Sequence, residues 1–205
     1  MALSKTDGRL GRSERSRAAV ASAMLALIVE GDLRPTAPRI AARAGVSLRL
    51  VFHHFKDLEA VFADAAKRQL ERVIPTLRTV AAEGPLQQRI DALVSERARL
   101  YEEVANTWRA AVLQEPFSTE ISRRMAMVRG WLRDDAERVF APELAARSTK
   151  DGKELQAALA AASGMAGWEE LRRHQGLSIE PARRAMARML AALLSEPPKT
   201  TRPRR

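Results

Sequence analysis

One stretch constrains the fold of this chain more than any other: TAPRIAARAGVSLRLVFHHF, residues 36–55. Two short segments flank Ala44-Gly45-Val46. Gly45 can take the positive φ that a tight turn requires, because it has no Cβ to clash. Thr36 and Ser47 each stand where a helix N-cap belongs, and Pro38 is tolerated in a first helical turn. Ile40, Ala41, Val46 and Val51 are spaced to pack the two segments on each other. The alanines at 41, 42 and 44 let the segments cross closely. This is the pattern of a helix-turn-helix, whose second helix lies in the DNA major groove with its leading residues toward base edges.

The rest of the chain is helical by periodicity. Ala19, Val20, Ala23, Met24, Leu27 and Ile28 recur at three- and four-residue steps, so a helix is expected over 12–30, ended by Gly31. Residues 1–11 read as a flexible basic arm. Asp57 caps a helix that opens at Leu58 and runs through Leu70, Val73 and Leu77, with a kink at Pro75. After the break at Gly84-Pro85, helices are expected from Leu86 to about Asn106 and from Trp108 to Gln114, stopped by Glu115-Pro116. Ser118 caps a helix to Phe140, which Ala141-Pro142 ends. Residues 150–175 and 178–195 form the last two helices, and 196–205 a disordered basic tail. The expected architecture is all-α, with a helix-turn-helix domain over 12–62 and a larger helical domain over 63–195.

Composition agrees. Apolar residues make up 46% of the 205, enough for a sizeable core, while aromatics are only 4% and β-branched residues are sparse, which disfavours strands. Cysteine is absent, which excludes disulfides, thiolate metal sites and cysteine nucleophiles. The N-terminus lacks the apolar run of a signal peptide and no segment approaches the roughly 18–20 apolar residues of a membrane span. A cytoplasmic protein is expected. The net charge of +10 favours a polyanionic partner, although an arginine-rich genome gives the same excess, so the placement of the charge must decide.

The segment as a whole resembles the TetR family of transcriptional regulators. The matching residues are Thr36, Ile40-Ala41, Ala44-Gly45-Val46-Ser47, Phe52-His53-His54-Phe55 and Glu59-Ala60-Val61, preceded by a helix of the family's first-helix length at Arg17–Gly31. They cover about a quarter of the chain. Four positions depart from the family's pattern: Arg49 replaces a small residue, Phe52 a tyrosine, Leu58 a lysine and Pro38 a basic residue. The resemblance implies a homodimeric regulator, a repressor released from double-stranded operator DNA by a small, mostly apolar effector. It implies no cofactor, metal or catalytic residue.

The DNA-binding set expected from these residues is Thr36, Arg39, Ser47, Leu48, Arg49, Leu50, Phe52, His53, His54 and Lys56. Arg49 can donate a bidentate pair to guanine O6 and N7, the commonest specific contact. Leu48 and Leu50 can only pack on thymine methyls or sugars. Ser47, His53, His54 and Lys56 suit phosphate or sugar, which fixes register without reading sequence, and His53 is the next candidate for a base. Arg12, Arg15 and Arg17 can replace phosphate contacts that the departures remove. Phe55 reads partly as core. His53 and His54 point about 100° apart on a helix and cannot share a metal.

Beyond about Arg68 no motif is nameable. Tyr101, Asn106, Trp108, Gln114, Met125, Met127, Trp131 and Trp168 are the candidate effector lining, since pockets are mostly apolar with a few polar groups. A methionine or tryptophan on a helix is more often core than pocket. Arg97 and Arg99 suit either an anionic ligand or a solvated face. The two apolar helices near the C-terminus offer Leu159, Ala162, Met165, Trp168, Met186, Met189, Leu190 and Leu193 for dimerisation through a four-helix interface. Internal packing is the alternative for the same residues. Two rival functions stand beside the regulator: a constitutive or architectural DNA binder without an inducer, and an enzyme. For the enzyme, no phosphate loop, zinc-protease helix or nucleophile elbow is present.

Overall fold

A computed structural model describes residues 5–195, with side chains from 13 to 195. Among the described residues there are helices and no strands. In chain order the helices are α1 (Lys5–Val29), α2 (Ala37–Ala44), α3 (Leu48–His54), α4 (Leu58–Val73), α5 (Leu86–Gln114), α6 (Thr119–Val139), α7 (Ala141–Ala145), α8 (Thr149–Ser163), α9 (Met165–Glu169) and α10 (Ile179–Ser195). None is long and apolar enough to cross a membrane.

The chain divides into two compact units. One holds the residues up to Thr76 together with Val104–Met125; the other holds Leu77–Glu103 and the residues from Ala126 on. The expected border between 62 and 63 is therefore not where the packing parts. The inner stripe of α4 continues past Phe62 through Ala65, Gln69 and Val73, so the whole helix belongs with the helix-turn-helix.

In the first unit, Val20, Met24, Leu27 and Ile28 of α1 meet Ile40 and Ala41 of α2, Val51 and Phe55 around α3, and Val61, Phe62 and Ala65 of α4. Ala110 and Ala111 of α5 and Ile121 and Met125 of α6 complete that core. Two polar side chains tie the later helices to the earlier ones. Asn106 donates from Nδ2 to the carbonyl of Val29 (2.9 Å), at the end of α1 where helix carbonyls lack intrahelical partners. Arg124 donates to the carbonyl of Ala63 in α4 (2.6 Å).

In the second unit, Ile90, Leu93, Val94 and Tyr101 of α5, Leu132 and Val139 of α6, Leu159, Met165 and Trp168, and Met186, Leu190 and Leu194 of α10 are buried. Two arginines are buried with them. Arg97 donates to the carbonyl of Leu132 (2.8 Å) and to Asp135 (2.9 Å). Arg89 donates to the carbonyls of Val139 (2.7 Å) and Gly84 (3.1 Å) and forks onto Glu143. The Arg89 guanidinium holds the Glu143 carboxyl below its ordinary range. Since Arg89 meets Val139 and Arg97 meets Leu132, the two helices run antiparallel through this unit.

Several boundaries differ from the sequence reading. The first helix begins at Lys5 rather than 12, so residues 5–11 are helical and not an irregular arm. Extension of a formed helix adds a hydrogen bond per residue and tolerates Gly8 and Gly11 at about 1 kcal/mol each. Residues 1–4 and the tail 196–205 lie outside the described residues. Pro75 ends α4 instead of kinking it, and Ile74–Thr76 form a 3-10 turn, because proline cannot continue the bonding ladder. The expected helices 86–106 and 108–114 are one continuous helix, since Asn106-Thr107 contains no breaker. Pro142 opens the short α7 rather than merely ending α6. The single helix expected over 150–175 breaks at Gly164, which is extended (φ −80°, ψ 166°). A Cβ there would lie 2.7 Å from the Ala160 carbonyl oxygen, and one at Gly167 2.8 Å from that of Ala161. A turn of π-helix, Glu170–His174, follows α9.

Candidate nucleic-acid interface

Local chemistry sets the orientation of α3. Gly45 adopts the left-handed conformation (φ 66°, ψ 32°), and its N–H closes α2 onto the Ala41 and Ala42 carbonyls. Ser47 is extended, and its Oγ accepts from the backbone N–H of Leu50 (3.2 Å). Asp57 caps α4 in the same way through Ala60 N–H (2.8 Å). The end of α2 and the starts of α3 and α4 are thus fixed by their own residues. Thr36 occupies the N-cap position of α2 but its hydroxyl makes no capping bond. The second helical residue is Pro38, which has no N–H to give. The exposed Thr36 hydroxyl is left to bond outward.

Burial divides α3 into two faces. Val51 and, just beyond the helix, Phe55 are buried in the core, while Leu48, Arg49, Phe52 and His53 are exposed. Residues 48 and 52, and 49 and 53, are each one helical turn apart, so the four form one contiguous outward strip. Arg49 sits in the first turn directly after the Ser47 cap. Among the described residues no carboxylate lies within ion-pair distance of Arg49 or of exposed Arg15.

The expected DNA-binding residues separate on this geometry. Ser47, Leu48, Arg49, Phe52, His53 and Lys56 lie on the exposed side with Thr36. Leu50 is half-buried. His54 is a correction to the phosphate role: its Nε2 is buried and has no hydrogen-bond partner. Burial, then the neighbouring His53 and Arg17, push its pKa below the ordinary value, against a smaller opposing pull from Glu14. His54 is therefore neutral at pH 7. Arg39 is exposed but paired with Asp32 (2.5 Å), so a phosphate must displace that carboxylate. Arg17 also has internal partners, Asp64 at 3.6 Å and the Phe55 ring at 4.9 Å. Arg43, which the sequence reading passed over, is locked to Glu30. The side chain of Arg12 lies outside the described residues.

The eight effector-lining candidates do not gather in one unit. Asn106, Trp108, Gln114 and Met125 belong to the first; Tyr101, Met127, Trp131 and Trp168 belong to the second. Several have structural partners. Tyr101 is fully buried, with its hydroxyl donating to the Ser163 carbonyl (2.8 Å) and its pKa raised by burial to about 12. Trp168 donates its indole N–H to Glu102 (2.9 Å). Asn106 holds α1, and Met125 and Trp108 pack in or against the first core. Met127 and Trp131 are exposed, with the Arg97 guanidinium 5.6 Å from the Trp131 ring centre. Arg97 is a buried clamp, neither an anion site nor a solvated face. Arg99 is half-buried and bonded to Glu96 and Glu103.

Of the dimerisation candidates, Leu159, Met165, Trp168, Met186 and Leu190 are buried within the subunit's own second unit. Their side chains are packed inside the chain and present almost no surface to a second copy. Ala162 and Leu193 are half-buried and Met189 is exposed.

No family model matches the sequence and no curated protein matches it. Solved structures do. A transcriptional regulator from Rhodococcus sp. Rha1 is 20% identical with a TM-score of 0.63, over 89% of this chain and 95% of that one. A candidate transcriptional regulator from Pseudomonas aeruginosa PAO1 is 19% identical with a TM-score of 0.63, over 87% and 90%. A candidate TetR-family regulator from Mesorhizobium loti is 18% identical with a TM-score of 0.52, over 90% and 97%. At these identities the likeness is one of fold, the all-helical fold that the chain shares with these solved regulators.

Proposed function

We propose that this chain is a sequence-specific DNA-binding transcriptional regulator of the TetR type, acting as a homodimeric repressor that a small effector releases from its operator. The observation that carries the reading is the outward strip of α3. Leu48, Arg49, Phe52 and His53 are exposed on a helix whose opposite face is buried, and Arg49 leads it without an acidic partner among the described residues. A buried back and an exposed front of mixed chemistry, led by one cation, suit a recognition helix, because the back fixes the aim while Arg49 and His53 stay free to bond and Leu48 and Phe52 to pack.

Thr36, Ser47 and Lys56 flank that strip as phosphate contacts, and Arg49 reads a guanine. Two-fold pairing places two such helices about one DNA turn, roughly 34 Å, or a multiple of it apart. The residues that remain available for pairing are Ala162, Met189 and Leu193, together with the exposed residues around them on α8 and α10. The effector acts by differential affinity for two arrangements of the dimer, only one of which fits the operator. Asn106 and Arg124 support this reading, since α5 and α6 grip α1 and α4 by backbone carbonyls. A displacement of either helix is thereby felt by the helix-turn-helix.

The test is a gel-shift titration of the full chain against the DNA upstream of its own gene and a scrambled duplex of equal composition. The expected result is a preference of at least about 1,000-fold for the upstream DNA, with affinity falling steeply as salt rises. Equal affinity for both duplexes would refute the regulator reading.

A further inference from the structure

Along the inner stripe of α4 the buried residues are Val61, Phe62, Ala65, Gln69 and Val73. Four are apolar and one is a primary amide. Gln69 is only 4% exposed, yet neither Oε1 nor Nε2 has a hydrogen-bond partner among the described residues. An amide offers two donors and two acceptor lone pairs. Burying all of them unmade opposes folding, and leucine or methionine would fill the same space without that cost. Packing alone does not account for a glutamine here.

A second orphan lies in the same unit. Thr107 stands on α5 within one turn of Ala110 and Ala111, which reach the helix-turn-helix core. Its Oγ1 is buried and lacks a partner, although a threonine inside a helix can back-bond to the carbonyl four residues earlier. On both helices the apolar core gives way, about a turn further along, to a buried polar atom with nothing to bond.

We infer that Gln69 is the polar anchor of the effector site, and that the effector presents a donor and an acceptor side by side on an apolar body, as a lactam or primary amide does. Such a group pairs with the Gln69 amide through two parallel hydrogen bonds, and the rest of the molecule packs apolar. This rests on the reading of the chain as an effector-released regulator and changes its ligand from merely apolar to amide-bearing. It also puts the ligand's head on α4, the helix that follows α3 directly. Gln69 thus joins the two candidate functions of the first unit through one element.

The test uses thermal melting of the full chain without DNA, with ε-caprolactam and cycloheptanone as probes. The two rings are of equal size, but only the lactam carries the N–H. The expected result has two parts. Caprolactam raises the melting temperature more than cycloheptanone does at equal concentration, because binding to the folded state stabilises it. Gln69→Met abolishes that difference and raises the melting temperature of the probe-free protein, by about 2 to 6 °C, since it removes a buried unsatisfied amide. A lower melting temperature for probe-free Gln69→Met means that the amide is structural and overturns the proposal. So does a wild-type response to caprolactam no larger than that to cycloheptanone. Because no arm involves DNA, such a failure leaves operator binding standing, and a failed gel shift would be seen separately.

Discussion

Truncating Arg49 to alanine separates recognition from folding more cleanly than any other change in this protein. The side chain is exposed and has no ion pair among the described residues, so its removal leaves no buried partner behind. Such surface changes alter stability by less than about 0.5 kcal/mol, or at most about 2 °C in a chain of this length. The Ser47 cap is untouched, since it runs from Oγ to the Leu50 N–H, and α3 keeps its aim. What remains is the contact with DNA. A bidentate arginine–guanine pair discriminates by about 1–3 kcal/mol per site. In the two-fold pairing proposed above this becomes about 2–6 kcal/mol, a loss of roughly 30-fold to 20,000-fold at 1.4 kcal/mol per tenfold. Fluorescence anisotropy at fixed salt, on the upstream duplex and its scrambled counterpart, measures the effect. The expected outcome is a large loss on the upstream DNA, little change on the scrambled DNA and a flattened preference at one base position per half-site. An equal loss on both duplexes, with the salt slope reduced by about one per protomer, would assign Arg49 to a phosphate and refute the base-reading argument.

Other changes probe the parts that hold that helix. Arg124→Met removes a charge-assisted bond to the Ala63 carbonyl, which keeps its bond within α4; a loss of about 1.5–3 kcal/mol is expected in urea unfolding, with weakened operator release by effector. His54 has a folded-state pKa below its unfolded value of about 6.5, so the unfolded chain binds more protons and stability falls as pH drops through that value. His54→Gln should therefore lose less stability than the wild type between pH 7.5 and 5.5, and parallel pH profiles for the two proteins would contradict this. Gly164→Ala forces a Cβ to within 2.7 Å of a backbone oxygen and should destabilise by about 1–3 kcal/mol, the range for overpacking, read as a lower melting temperature without loss of salt-dependent DNA binding.

The helix-turn-helix was legible because its boundaries are decided by single residues. Gly45, Ser47 and Asp57 each do locally what their chemistry predicts, and no distant partner intervenes. Thr36 shows the limit of that logic, since it stands at the N-cap of α2 yet its hydroxyl makes no capping bond. The recognition strip was legible in Leu48, Arg49, Phe52 and His53, but His54 was not, because its burial depends on packing against other helices. The arginines of α5 misled for the same reason. Arg97 stands in a helix rich in charge and reads as an anion site or a solvated face, and Arg89 drew no reading, whereas their targets, the Leu132 and Val139 carbonyls, are 35 and 50 residues away in sequence. Gln69 left no signal at all, since a lone glutamine among apolar residues reads as helix surface until its exposure is known.

The two buried arginines of α5 have a mechanical consequence. They are spaced about 12 Å apart along their helix, at 1.5 Å per residue, and Leu132 and Val139 about 10 Å along theirs. Two rungs so matched, each made of a guanidinium on a backbone oxygen, allow almost no axial slip. A shift of even one residue would draw both guanidiniums off those carbonyls. The paired segments therefore resist shear and tilt or turn more readily as one bar.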